Sequence, residues 1–376
     1  MIGAWILEEV IIMNNSLNEK YQRLKTFIYR ERGNDISIYM VILFHLPLKL
    51  LSKSYSKFVV LINELFMNKL FNISRFKNFQ NLHRNRLNNH FYVIVMPDIL
   101  HFLKPCLKLI PENINIFLIL NGTSSWEEKY LRDNYAYYPI FKLITFPHSS
   151  LLHGTLLNLL IENNQSNFGI MDHDLYIFNK EIFDKLIFNK DECVIGTFKL
   201  INKKSELTFP TTHFMFFNVS LIKKIMVKYR IGAQIYTKIP ARLKNKLSTI
   251  NLGYNNFLKD YLHYFDTFNM ILAMAFYEKL SVKILKLNDK DLCHIGGTSS
   301  FARWYSPTAP DNLYLAYLNI KLLEMPQNSL IKQRYSFLYP KFNSSNDVYK
   351  CFPKNLSFLE FVVIVNRVIT RIEQHT

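Results

Sequence analysis

Glycine, cysteine and acid are all scarce in this chain. It has 10 glycines in 376 residues, which excludes collagen-like repeats and flexible low-complexity arrays. Its four cysteines, Cys106, Cys193, Cys293 and Cys351, stand far apart, match no zinc-ligand spacing and are too sparse for a disulfide framework. They read as reduced thiols of a cytosolic protein. Asp and Glu number 29 against 46 Lys and Arg, a formal charge of +17. That excess draws phosphates, nucleic acid or an anionic membrane surface, and a lysine-rich solvated surface produces it equally well. Long apolar runs are missing too. The most apolar stretch, residues 37–51, is interrupted by His45, Pro47 and Lys49, well short of the roughly 20 apolar residues of a membrane-spanning helix. The opening residues carry Glu8 and Glu9 early, with no basic region and no small-residue cleavage site, so no secretory signal is read.

What the chain does have is core material. Apolar residues make up 49%, with 31 Phe and 22 Tyr, enough for one large α/β domain with helical additions. Residues 1–88 are basic and show helical periodicity at 17–32 and 59–71, followed by an Arg-, Lys- and Asn-dense stretch at 75–89. This accessory segment either packs on the core or lies on an anionic membrane surface. From residue 91 the pattern changes to short β-rich runs at 91–96, 114–120, 141–146, 168–171, 194–201 and 213–217. Helical runs at 99–109, 125–134 and 151–163 separate the early strands. That alternation predicts a doubly wound α/β sheet whose first four strands form a nucleotide-binding half, within a catalytic domain at 89–310. Helices are expected at 221–229, 256–262 and 267–279, then a strand at 281–287. A helical extension at 311–376 ends in an apolar-faced helix at 356–372. No internal repeat is present.

The sharpest local feature is Phe168-Gly169-Ile170-Met171-Asp172-His173-Asp174-Leu175-Tyr176-Ile177-Phe178. An apolar strand stops at two carboxylates and runs on into a second apolar stretch. Strand ends at the carboxyl edge of an α/β sheet are where ligands bind. Carboxylates two apart there can hold a hard divalent cation that neutralises a diphosphate leaving group. The plainer reading is a capped or hydrogen-bonded turn, because an apolar setting demands some partner for each carboxylate. A second Asp-x-Asp string, Asp289-Lys290-Asp291, sits in a Lys- and Asn-rich turn and reads as a solvated loop.

The order of features resembles the GT-A glycosyltransferases, particularly their family 2-like branch. The resemblance rests on Met96-Pro97-Asp98 after the first strand, Asn121-Gly122-Thr123-Ser124 after the second, His153-Gly154-Thr155-Leu156-Leu157-Asn158, and Asp172-His173-Asp174. It implies a GT-A-like mixed sheet, with Asp172 and Asp174 on Mn²⁺ or Mg²⁺. Pro97, Asn121, Gly122, His153, Gly154, Asn158 and His173 would then lie at the donor. Farther on, Tyr264-Phe265-Asp266-Thr267 opens a helix, and Cys293-His294-Ile295-Gly296-Gly297-Thr298-Ser299 follows one strand later. By the same resemblance Asp266 is the general base of an inverting transfer, although an Asp before a helix is equally a good N-cap. His294 would join the metal, and the backbone amides of Gly296 and Gly297 would approach phosphate oxygens. His213, after Thr211 and Thr212, falls where an acceptor-side wall is expected. Trp304 and Tyr305 offer rings for sugar stacking, and Arg303 a charge for the diphosphate. Two departures stand out: Pro97-Asp98 replaces the usual string after the first strand, and Phe265 precedes the acid where Glu is common.

Two other classes compete. Nucleotidyltransferases also use Asp-x-Asp metal sites, with a Gly-Ser pair upstream for which Gly154-Thr155 is a poor substitute. A non-enzymatic basic protein would bind membrane or nucleic acid, but the aromatic residues are not interleaved with the basic ones as base stacking requires. The expectation is therefore sugar transfer from a UDP- or GDP-type nucleoside-diphosphate sugar to a hydroxyl of a glycan or lipid-linked glycan. It would proceed in the cytoplasm or at the inner membrane face, with self-association as a further use of the leader and the C-terminal helix.

Overall fold

In the computed structural model, residues 58–146, 149–197, 199–202, 205–253, 266–287, 291–294, 310–335, 344–350 and 356–375 are described. The central strands are short runs of aromatic and β-branched residues buried on both faces, as parallel strands covered by helices must be. They are β1 (His90–Val95), β2 (Asn115–Leu120) and β4 (Phe168–Asp172), flanked by the half-buried edge strand β3 (Ile140–Lys142). β1 pairs in parallel with β2 and β4, and β2 with β3. A second group follows: β5 (Leu175–Ile177), β6 (Glu192–Gly196), β7 (Lys199–Asn202), β8 (Leu207–Pro210), β9 (Phe214–Phe217), β10 (Ser281–Ile284) and β11 (Leu292–His294). The main sheet has seven strands in the order β10-β6-β9-β4-β1-β2-β3, with β9 antiparallel to both its neighbours. The fold is a mixed α/β sheet, as expected.

Side chains alternate across this sheet with the period of two that a strand imposes. Phe91, Val93 and Val95 of β1 enter one core, and Tyr92 and Ile94 the other. Two helices, α1 (Ile73–Leu82) and α2 (Leu100–Lys108), cover opposite faces. A π-type helical segment, Ile62–Asn72, leads into α1. The face with α2 also receives α3 (Ser125–Asn134). The face with α1 receives α4 (His153–Asn163), α5 (Val219–Tyr229), α6 (Lys244–Ser248) and α7 (Asn269–Tyr277). The C-terminal helices α8 (Pro310–Glu324), α9 (Ser329–Tyr335), α10 (Ser345–Lys350) and α11 (Leu356–His375) complete the described chain. In α11, Val365, Ile369 and Ile372 recur at helical spacing and are buried in the α2-side core. Among the described residues no helix is long and apolar enough to cross a membrane.

Two predicted strands end sooner than their apolar runs. After Lys142 the backbone leaves the sheet because Asn72 takes over the pairing. Its Nδ2 donates to the Ile144 carbonyl and its Oδ1 accepts from the Ile144 amide, both at 2.8 Å. The 194–201 run divides between β6 and β7, which belong to different sheets. Gly196 sits at the break, where a Cβ would lie 2.6 Å from Pro210. The predicted helix at 256–262 lies outside the described residues.

Candidate functional site

Two antiparallel pairings assemble the site around the Asp172-His173-Asp174 turn. The β4–β9 register pairs Phe168 with Phe217 through Met171 with Phe214. Its continuation sets Asp172 beside His213, where the Asp172 amide donates to the His213 carbonyl at 3.0 Å. β11 pairs with β5 so that His294 lies opposite Leu175, the residue after Asp174. Period-two alternation then separates the three turn residues. Asp172 and Asp174 both approach His294, while the His173 ring is buried and its Nδ1 meets the Ile94 carbonyl at 3.2 Å.

The polar contacts are close. His213 Nδ1 lies 3.0 Å from Asp172 Oδ2. His294 Nε2 lies 3.5 Å from the same oxygen and 3.4 Å from Asp174 Oδ1. The two imidazoles stack with centroids 3.6 Å apart. One nitrogen each from His213 and His294 and an oxygen of Asp172 all fall within 4.8 Å of one another, an arrangement able to hold a metal ion. Burial pushes the Asp172 carboxyl up, but hydrogen bonds from His213 and His294 outweigh it and hold the group well below the usual carboxylate range. Asp174 is likewise lowered: burial opposes ionisation, and His173 and His294 favour it. For His294, burial alone would favour the neutral ring, yet its contacts with both carboxylates raise it to about 9. Beneath the turn, buried Cys106 points its thiol at the Asp172 carbonyl, 3.8 Å away, and desolvation raises that thiol well out of the reactive range.

A second group of expected residues gathers at the start of α4. His153 is the first residue of that helix, and its buried Nε2 has no hydrogen-bond partner. Burial lowers its pKa, while the nearby charges of Asp172 and Asp266 act to raise it. Gly154 lets the helix meet the loop at residues 233–234, where a Cβ would lie 2.4 Å from Gln234 Cα and 2.6 Å from the Ala233 carbonyl. Asn158 ties down the same loop, accepting from the Ala233 amide at 2.7 Å and donating to Gln234 Oε1 at 3.2 Å. The Ala233 carbonyl in turn accepts from the Phe268 amide at 2.9 Å, just beyond Asp266. Asp266 Oδ1 accepts from the Thr267 amide at 2.6 Å.

The remaining expected residues stand at strand ends. Pro97 is buried in the turn after β1, where Asp98 adopts a left-handed φ of 66°. Asn121 spends its side-chain amide on the chain leading to α4, accepting from the Leu151 amide at 2.8 Å and donating to its carbonyl at 3.0 Å. Gly122 has φ 82°, and a Cβ there would lie 2.4 Å from the Ser149 carbonyl. Gly296, Gly297, Arg303, Trp304 and Tyr305 lie outside the described residues. Asp291, of the second Asp-x-Asp string, accepts from Asn179 Nδ2 at 3.0 Å and pins β11 to the end of β5. It is anchored and half-buried.

Glu127 went unrecognised in the sequence. Fully buried, it closes a capping box with Ser124, accepts from the Asp98 amide at 2.6 Å, and accepts from the Tyr335 hydroxyl at 2.7 Å. One carboxylate thereby joins the ends of β1 and β2 to the C-terminal helices. The Ser124-x-x-Glu127 string was the available signal.

Residues 68–222 match the family described as the StrH glycosyltransferase N-terminal domain. No curated protein matches the sequence. Among solved structures, an active-site mutant of LgtC aligns at 10% identity over 38% of this chain and 64% of that one, with a TM-score of 0.29. The apo glycosyltransferase GlyE of Streptococcus pneumoniae aligns at 9% over 54% and 45%, with a TM-score of 0.33. TarS of S. aureus aligns at 10% over 77% and 80%, with a TM-score of 0.32. The chain thus spans less than two thirds of the first two and four fifths of the third. The family match covers β1 to β4, the Asp172-His173-Asp174 turn and His213, and bears out the resemblance: this segment is similar to a glycosyltransferase domain, on a mixed α/β fold.

Proposed function

We propose that the chain is a divalent-metal-dependent glycosyltransferase that moves a sugar from a nucleoside-diphosphate donor to a hydroxyl acceptor. The observation that carries this reading is the convergence of Asp172, Asp174 and His294 at the carboxyl edge of the sheet, the two carboxylates lying within the segment that matches a glycosyltransferase family. The donor set fits a divalent cation. Two ionised carboxylates and an imidazole are common metal ligands, and the buried, orphaned Nε2 of His153 marks a polar recess beside them. When bound, the cation would neutralise the diphosphate leaving group.

The protein's own residues supply the rest. Asp172 and Asp174 hold the cation, and His294 completes their side of the site. His153, at the amino end of the 11-residue α4, offers a ring nitrogen and a helix terminus to donor oxygens. Gly154 and Asn158 fix the 233–234 loop that holds the Asp266 turn in place. Asp266 takes the acceptor hydroxyl proton on its carboxylate in an inverting transfer. The donor is of UDP or GDP type, and Mn²⁺ or Mg²⁺ serves. A glycan or lipid-linked acceptor at the inner membrane face is favoured by exposed Phe58, Leu61, Phe66, Leu70 and Phe71 beside Lys69 on one helical segment.

Thermal shift with a panel of nucleoside diphosphates, with and without Mn²⁺, tests the reading on wild type and Asp174→Ala. It expects a metal-dependent rise with one nucleotide, lost in the variant. No rise with any nucleotide would transfer the weight to a non-enzymatic binding protein.

A further inference from the structure

The expected metal ligands were Asp172, Asp174 and His294, with His213 on a separate acceptor wall. In the structure His213 belongs to the carboxylate cluster. Its ring stacks on His294, its Nδ1 meets the same Asp172 oxygen that His294 approaches, and its backbone is hydrogen-bonded to the Asp172 amide. We infer that His213 is a second imidazole ligand, joining Asp172 and His294 in a nitrogen-rich site that selects Mn²⁺, Co²⁺ or Zn²⁺ over Mg²⁺. This inference rests on the metal reading above.

Two observations carry it. First, neighbouring ligand atoms around a cation bound at about 2.1 Å lie about 3.0 Å apart in an octahedral shell and about 3.4 Å apart in a tetrahedral one. The two separations on Asp172 Oδ2, 3.0 Å to His213 and 3.5 Å to His294, match edges of such a shell. Second, His213 is held by the strand register and needs no cation to reach its place. Its side chain is 34% exposed, which leaves it open to an arriving ion. Nitrogen ligands favour borderline transition ions, whereas Mg²⁺ favours oxygen ligands and retained water.

The test titrates the full chain with Co²⁺, Mn²⁺ and Mg²⁺ by calorimetry, and with Co²⁺ by visible absorption, in the absence of nucleotide. Wild type, His213→Ala, His213→Asp and Asp172→Ala are compared after circular dichroism establishes that each is folded. Co²⁺ should bind wild type at least about tenfold more tightly than Mg²⁺. His213→Ala should weaken Co²⁺ by about tenfold or more and alter its visible bands. His213→Asp, which exchanges nitrogen for oxygen, should shift the preference toward Mg²⁺. Unchanged Co²⁺ affinity and bands in His213→Ala, with binding lost in Asp172→Ala, would overturn the inference and leave the cation reading standing. No metal binding by wild type overturns both. Metal binding as expected with no response to any nucleoside diphosphate in the thermal-shift panel instead defeats the donor assignment alone.

Discussion

His294 provides a pH-dependent stability that can be worked out from its contacts. Its two carboxylate neighbours raise its pKa from 6.5 to about 9, so in the metal-free protein the ring is an imidazolium at neutral pH. A raised folded-state pKa contributes stability that is complete below the unfolded value of about 6.5 and is lost as pH climbs through about 9. At about 1.4 kcal/mol per unit the ceiling is about 3 kcal/mol. The same contacts depress Asp172, so the energy is counted once. Asp172 sets the acid limit: its contribution is present above its unfolded value and is lost only as pH falls through the depressed one. In a chain of this length 1 kcal/mol moves Tm by about 2 °C or less. Melting curves of wild type and His294→Gln, recorded in chelator from pH 6 to 10, should therefore differ most near pH 6 and converge by several degrees above pH 9. A gap that stays constant across that range refutes the reasoning.

Three further outcomes follow from particular contacts. Gly154→Ala drives a methyl group into the backbone of residues 233–234 and should cost about 1–3 kcal/mol in urea unfolding; an unshifted midpoint means that the loop moves freely. Tyr335→Phe removes the hydroxyl donor to buried Glu127 and should cost about 1–2 kcal/mol by the same assay, while Glu127→Ala, which strands the Asp98 and Ser124 amides, costs more. If the two variants unfold alike, Glu127 does not tie the strand ends together. Asp266→Asn should lower turnover by about 10²–10⁴-fold with nucleotide affinity within about twofold. Loss of affinity with turnover intact assigns Asp266 to holding the Thr267 turn alone.

The order of elements was legible because alternation and period are local properties of a sequence. The runs at 91–96, 114–120 and 168–171 became β1, β2 and β4, and the intervening helices followed. The Asp172 and Asp174 turn was legible because two carboxylates interrupt an apolar run, and His294 was reached through resemblance. The role of His213 was not legible. It depends on β9 running antiparallel beside β4 in one register, and a shift of a single residue would turn His213 to the opposite face. The β7–β8 hairpin and the short β5–β11 pair were missed because three- and four-residue strands carry too little pattern. Asn121 and Asn158 illustrate a different difficulty. Their positions match donor residues in the resemblance, yet their amides are occupied with the Leu151 backbone and with Ala233 and Gln234. A sequence names a hydrogen-bonding group without naming the long-range partner that satisfies it.

Donor cleavage bears most directly on the central claim, because water can stand in for the acceptor hydroxyl. Release of nucleoside diphosphate should be followed over a panel of UDP- and GDP-sugars, in Mn²⁺ and in chelator, with wild type and Asp172→Ala. Slow release from one donor in Mn²⁺, abolished by chelator and by the substitution, is expected. Release that persists in chelator, or no release from any donor while the folded protein binds Mn²⁺, would contradict it.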